Sequence, residues 1–387
     1  MDYTDLALAM AAATAAPLLV DLLPLPKVPP IVSEIMAGIL IGPVVLNLVD
    51  VTAPLQVFAQ IGLVFLFLAG LEIAFDARDE RHLGLVGLAF LASLGLALVV
   101  ALIFDAVELV GAPLLVAIIL AATSFGIVVA VLKDAGQTST PFGQLVIAGA
   151  SIADFATVIL LSLFFSSTGA SFETTLVLLL LFLGVVAALG LAMAGARGSE
   201  ALKAAVTRLH DTSAQISVRI AFLLLAVLVY LSEEFGLEVV MGAFLAGAMV
   251  SLLDREDAVR ATGLQDKLEG IGFGIFIPIF FVVSGVKLDL DALFSSFDTI
   301  VLVPLTVIAL LVVRGLPALV YRRFVPQRQA ISAGLLQATS LSFVVAASQI
   351  GVELGKLDSA AAAGLVTGGV ISVLVFPALA LTLLRPT

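Results

Sequence analysis

Apolar runs of 17 or more residues follow one another along almost the whole chain, divided by short polar links. They are continuous, not alternating, so they read as helices crossing a hydrocarbon core of about 30 Å and not as barrel strands. Thirteen such stretches are expected, at about 5–24, 31–49, 55–75, 83–104, 113–132, 141–166, 173–194, 215–232, 237–253, 268–286, 299–321, 330–350 and 359–384. The longest polar link runs from Gly195 to Ser213. The expected fold class is therefore all-α and integral to a membrane, and Pro278 and Pro317 are expected to kink the helices that hold them.

The pattern is interrupted most sharply between Pro113 and Ser166. Two spans there carry polar residues at their centres: Thr123 and Ser124 in the first, Ser151 and Asp154 in the second. A rise of about 1.5 Å per residue puts groups ten to thirteen residues from a span's end near the bilayer midplane. An ionisable residue at that depth costs roughly 2.5–3.5 kcal/mol on insertion scales, which marks Asp154 as a functional residue. The competing reading is a protonated carboxylic acid hydrogen-bonded inside a bundle. Ser151 precedes Asp154 by one helical turn on the same face. The oxygen set of Asp154, Ser151, Thr123 and Ser124 suits an alkali cation, and a carboxylate that holds either that cation or a proton is a sufficient basis for exchange.

The run Ile119–Ala130, ILAATSFGIVVA, aligns with Leu335–Ala346, LLQATSLSFVVA, at seven of twelve positions, pairing Thr123 with Thr339 and Ser124 with Ser340. Within one residue of the same offset, Phe65–Asp76 pairs with Phe280–Asp291, and Ala37-Gly38 answers Ala246-Gly247 slightly closer in. Three matches in one order indicate a duplication. The halves are about 1–166 and 215–387, joined by a linking helix at about 173–194. Their displacement is seven spans, an odd number, so the copies face opposite ways, the arrangement of secondary transporters that bind near the midplane. The Ala-Thr-Ser segments of spans 5 and 12 are the expected sites of broken helices, with Gln337 placed to bond across them.

Composition agrees and excludes. The chain is 61 % hydrophobic and 12 % charged, with a mean hydropathy of +1.24. It has no cysteine, and its two histidines, His82 and His210, fall in loops. Disulfides, thiolate metal sites, a histidine metal cluster and a cysteine nucleophile are thus out of the picture, no cofactor is expected, and no nucleophile–base pair suggests an enzyme. The net charge of −11 gives no nucleic-acid signal. Of the 18 Lys and Arg, fourteen fall on one side of the spans and two, Lys287 and Lys356, on the other. The positive-inside rule puts the N-terminus outside and the C-terminus in the cytoplasm. No soluble regulatory domain is expected.

Two charges, Arg219 and Arg314, lie within spans. Arg314 either snorkels to the interface or faces the bundle and offsets Asp154 or a helix C-terminal end. Glu34 and Glu72 stand near the cytoplasmic ends of spans 2 and 3, as funnel-lining acids or as interfacial acids with local partners. Gly38 and Gly42 have small-xxx-small spacing, and Gly70, Gly247 and Gly285 are further points of close helix approach.

The segments PPIVSEIMAGILIGP, IGLVFLFLAGLEIAFD, AATSFGIVVAVLKDAG and ASIADFATVILL resemble successive motifs of the monovalent cation:proton antiporter-2 family, which includes bacterial Na⁺/H⁺ antiporters and the glutathione-gated K⁺ efflux systems. The resemblance covers essentially the whole chain. It implies a homodimer in which a mobile six-helix core, about 55–166 and 268–387, moves against a dimerisation scaffold made of the remainder. It also implies that Asp154 is the ion- and proton-binding acid and that Arg314 is the family's basic residue in its span. The chain departs at Ala153, where many sodium-transporting relatives carry a second acid and potassium-efflux relatives a glutamine.

The expected function is exchange of Na⁺ or K⁺ for protons by alternating access, electroneutral because one carboxylate lies deep in the core. The alternative is a sodium-coupled organic-solute symporter on the same inverted-repeat core. That reading asks for a large polar cavity with aromatic walls, and the chain has no Trp and only three Tyr, none near Asp154. A channel asks for a filter of backbone carbonyls or a ring of charge, and neither is evident.

Overall fold

The computed structural model describes residues 3–22, 30–61, 64–71, 80–138, 140–165, 172–196, 204, 208–209, 212, 214–254, 263–288 and 297–384. All of its regular structure in these residues is helical. In chain order the helices are α1 (Thr4–Leu22), α2 (Pro30–Ile41), α3 (Ala53–Gln60), α4 (Val64–Leu71), α5 (Glu80–Ala106), α6 (Pro113–Ala121), α7 (Phe125–Asp134), α8 (Pro141–Phe164), α9 (Phe172–Ala196), α10 (Ile216–Glu234), α11 (Val239–Asp254), α12 (Leu264–Val286), α13 (Phe297–Arg323), α14 (Gln327–Gln337), α15 (Ser342–Glu353) and α16 (Ser359–Leu384). Among the described residues, nine helical segments are long and apolar enough to cross a membrane, with α14 and α15 taken together. Shorter apolar helices lie at Pro30–Ile41, Pro113–Val129 and Val239–Leu252. The chain is thus an integral membrane protein whose polar main-chain groups are satisfied within helices, as a hydrocarbon solvent requires.

Several elements differ in detail from the hydrophobic pattern. The second apolar stretch, expected to reach residue 49, ends as a helix at Ile41, where the N–H groups of Leu48 and Val49 fold back to the Ile41 carbonyl at 3.0 and 3.1 Å. Pro43 lacks the N–H that would extend the ladder. The third is described as α3 and α4, with residues 62 and 63 between them outside the described residues. Pro278 and Pro317 each stand two residues after a π turn, Gly272–Phe276 in α12 and Leu311–Gly315 in α13. A proline leaves the carbonyl one turn back without its donor, and a wider i to i+5 turn upstream is one way for a helix to absorb the mismatch. The N–H of Ile277 accordingly bonds to the carbonyl of Gly272. In α13 the same device holds Arg314 inside the π turn.

The chain divides into two compact units. One comprises Met1–Leu55, Asp76–Thr157 and Phe281–Thr387; the other comprises Gln56–Phe75 and Val158–Phe280. In the first unit α2 runs against the C-terminal part of α12 at backbone contact. A Cβ on Gly38 would meet the Val282 carbonyl and, at 3.0 Å, the Cα of Gly285, and one on Gly285 would meet the Ile35 carbonyl. In the second unit α4 and α11 approach as closely: a Cβ on Gly70 would meet the Phe244 carbonyl, and one on Gly247 the Phe67 carbonyl. Small residues allow this approach, and van der Waals packing then binds the helices where lipid removes the hydrophobic driving force. The first unit also holds a buried cluster built from α7, α8, α14 and the end of α13, including Phe125, Val128, Phe142, Val146, Tyr321 and Leu336.

Candidate functional site

Ala-Thr-Ser carries no obligate helix breaker, yet both matched segments are broken. α6 ends at Ala121, with Ala122 extended at φ −72° and ψ 159°, and α7 begins at Phe125. α14 ends at Gln337 and α15 begins at Ser342. Each break exposes carbonyls on one side and N–H groups on the other, and in a dry core these need partners. The two breaks supply them to each other. The Ser124 N–H donates to the Thr339 carbonyl at 2.9 Å. The Ser124 hydroxyl oxygen accepts from the N–H groups of Leu341 at 2.8 Å and Ser342 at 3.1 Å, capping α15 from another part of the chain. The Thr123 hydroxyl donates to the Gln337 carbonyl at 2.7 Å. Thr123, Ser124, Thr339 and Ser340 are all buried.

Asp154 projects from α8 onto this crossing. Its Oδ2 accepts the N–H of Phe125, first residue of α7, at 3.3 Å. A carboxylate is favoured there because the N-terminal end of a helix carries partial positive charge. Asp154 is only partly enclosed, whereas neighbouring Ala153 is fully buried. Ser151, a turn earlier, has a buried Oγ with no hydrogen-bond partner among the described residues. On α16, Ser372 takes a comparable position beside the second break: its Oγ accepts the Ser340 N–H at 3.1 Å.

Arg314 is 3 % exposed and does not snorkel. Its Nε donates to the Thr123 hydroxyl at 2.9 Å, Nη1 to the Ser93 hydroxyl at 3.2 Å, and Nη2 to the Gly149 carbonyl at 3.4 Å and to the Oε1 of Gln337. Its guanidinium carbon lies 5.6 Å from the centre of the Phe90 ring, a cation–π distance. The four acceptors are neutral, and Gln337 closes α14, so the cation also sits at the partial negative end of that helix.

The structure thus brings together Thr123, Ser124, Asp154, Arg314, Gln337, Thr339 and Ser340, with Ser151 on the Asp154 helix. Glu34 is buried in α2 at 5 % exposure, its Oε2 without a hydrogen-bond partner among the described residues. Glu72 lies outside the described residues. Sequence reasoning missed Ser93, Gly149, Ser342 and Ser372. Ser93 was findable as the one hydroxyl in the apolar run 84–104, and Ser372 as a hydroxyl two residues from the repeat counterpart of Asp154. Among the described residues no group of His, Cys, Asp and Glu forms a metal cluster.

Residues 9–384 match the family described as "Sodium/hydrogen exchanger, transmembrane". The chain is similar to "Putative Na(+)/H(+) antiporter YjbQ" of Bacillus subtilis, 32 % identical over 367 residues that cover 91 % of this chain and 58 % of that protein. It is also similar to "Probable Na(+)/H(+) antiporter 3" of Methanocaldococcus jannaschii, 29 % identical over 359 residues, 91 % of this chain and 89 % of the other. The chain therefore spans somewhat more than half the length of the first relative and most of the second. Its fold resembles that of the sodium proton antiporter MjNhaP1 from Methanocaldococcus jannaschii, solved at pH 8, with a TM-score of 0.67 and 20 % identity over 98 % of each chain.

Proposed function

From the premise that the chain belongs to the sodium/hydrogen exchanger family, which consists of transporters and not enzymes, we propose that it exchanges a monovalent cation for protons by alternating access at Asp154. The observation that carries this reading is the carboxylate of Asp154 at the start of α7, where two broken segments cross. A carboxylate at this place can hold either a proton or a cation. Sodium is the first ion to test, because the relatives are named for it.

Within the oxygen set, the proposed cation ligands are Asp154 and Ser151. A hydroxyl has one proton and two lone pairs. The Ser124 oxygen already accepts two N–H groups and contacts the Ser342 hydroxyl at 3.4 Å. The Thr123 oxygen donates to one carbonyl and accepts from a guanidinium, whose charge repels a second cation. These two hydroxyls brace the crossing, while the Ser151 hydroxyl has capacity left.

The reading includes thirteen spans in two inverted repeats, an N-terminus outside, a homodimer, and a core distinct from a scaffold. The glycine contacts support the repeat. The sequence matches Gly38 with Gly247 and Gly70 with Gly285, and α2 against α12 through Gly38 and Gly285 has its counterpart in α11 against α4 through Gly247 and Gly70. Asp154 on the first break and Ser372 on the second follow the same relation.

The test is proton flux in proteoliposomes carrying a pH-sensitive dye, with Na⁺, K⁺ and Li⁺ added in turn. Flux driven by at least one of them is expected from the wild type, and no response to any of them would overturn the proposal.

A further inference from the structure

We infer that Gln337 is a positioning residue that locks the helix bearing Asp154 to the first break, an inference that rests on the exchanger reading for its transport readout. Its main-chain carbonyl, left over where α14 ends, accepts the Thr123 hydroxyl. Its Oε1 accepts Arg314, and its Nε2 donates to the Val146 carbonyl on α8 at 3.2 Å. Through Arg314 the side-chain amide reaches Thr123, Ser93 on α5 and Gly149 on α8. One buried side chain, 2 % exposed, therefore ties together α5, α8, α13 and the first break.

The local sequence is shaped around this amide. A Cβ on Gly149 would collide with Gln337 Nε2 and come within 2.7 Å of the Tyr321 hydroxyl, so only glycine lets the amide lie across α8. Each half of the amide has its own task. The acceptor holds a guanidinium and the donor holds a main-chain carbonyl, which glutamine alone among residues of this length provides. Asp154 lies two turns beyond Val146 on α8, so the height of its carboxylate against Phe125 N–H follows from where Gln337 grips that helix. Gln337 touches no reacting atom. It acts on the proposed ligands only through α8, so its loss is expected to weaken cation binding by less than the roughly 10- to 100-fold that follows loss of a group bonded directly to a metal ligand.

The test compares Gln337→Leu, Gln337→Glu and Gln337→Asn in the purified full chain. Gln337→Leu removes both halves of the amide, Gln337→Glu keeps the acceptor for Arg314 but loses the donor to the Val146 carbonyl, and Gln337→Asn is too short to hold Arg314 and Val146 together. Gln337→Leu is expected to raise the KM for Na⁺ by up to roughly 10-fold with a much smaller fall in maximal rate, and Gln337→Glu, which has lost the grip on Val146, is expected not to restore it. Because the chain has no cysteine, spin labels on Gln144→Cys of α8 and Arg328→Cys of α14, both exposed, report the register directly. A single narrow distance within the protomer is expected in the parent, and a broadened one in Gln337→Leu and Gln337→Glu. If Gln337→Leu does not fold, Gln337→Asn carries the same expectation. An unchanged KM with an unchanged distance in the Leu or Asn variant overturns the inference, as does a Glu variant that keeps both at the parent's values. A parent without cation-driven proton flux counts against the exchanger reading alone, and the label distances then decide this inference by themselves.

Discussion

Asp154 is set apart at the residue scale by being polar, deep and still partly open, where most buried polar groups here are hydroxyls with their bonds made. Replacing it with asparagine keeps the shape and removes the charge. An amide cannot release a proton to take up a cation, so Asp154→Asn is expected to abolish cation-driven proton flux while the protein still purifies as a folded species. Near-normal flux in Asp154→Asn vesicles would remove the residue from the proposed role. Ser124 illustrates the other kind of polar residue. Truncation to alanine orphans the N–H groups of Leu341 and Ser342 in a dry core, where an unmet buried donor costs about 1–3 kcal/mol. Ser124→Ala is therefore expected to lower the thermal midpoint in detergent clearly, while the residual folded protein keeps its KM for Na⁺ within about threefold if that hydroxyl braces the crossing, as proposed, and does not bind the ion. A large KM shift without loss of stability would restore Ser124 to the ligand set.

Elements were legible where hydrophobic length or the internal repeat marked them, and less so where a contact from elsewhere in the chain decides the outcome. The continuous apolar runs predict helices at nearly every observed position, and the Ala-Thr-Ser match points to both breaks. The end of α2 and the π turns were not readable, because both depend on how a proline's missing donor is absorbed. The candidate site divides the same way. Asp154, Thr123 and Arg314 stand out as polar groups in apolar runs, whereas Gly149 matters only because Gln337 lies over it. The repeat makes one prediction at this scale. Ser372 anchors the second break by accepting the Ser340 N–H at 3.1 Å and donating its one proton to the Gly369 carbonyl at 2.7 Å, with the Ser340 carbonyl 3.1 Å from the same oxygen. Ser372→Ala leaves that N–H orphaned and is expected to destabilise the protein by about 1–3 kcal/mol, read as a lower thermal midpoint, with ion selectivity unchanged. Altered selectivity at unchanged stability would mean that the second break also binds the ion.

For the whole molecule, the two breaks are served unequally: one by a carboxylate, Asp154, and the other by a hydroxyl, Ser372. A duplicated chain with an acid at both positions could carry two protons per cycle. With Ala153 beside Asp154 and a serine across the repeat, one deep site at the crossing remains. One proton moved one way against one monovalent cation the other way transfers no net charge, and Arg314 adds no second proton because a guanidinium stays protonated. Transport is accordingly expected to be electroneutral. A two-for-one exchanger would gain or lose about 2.3 kcal/mol per 100 mV for the extra charge, which multiplies a flux ratio by roughly fifty; an electroneutral one ignores the voltage. The measurement is net proton flux in proteoliposomes with fixed ion gradients under an imposed potential of about that size, generated without a K⁺ gradient. If the potential reverses or strongly accelerates the flux, a second titrating group takes part. Glu34, buried in α2 with its Oε2 lacking a hydrogen-bond partner among the described residues, is then the first to replace, and Glu34→Gln should return the flux to voltage independence.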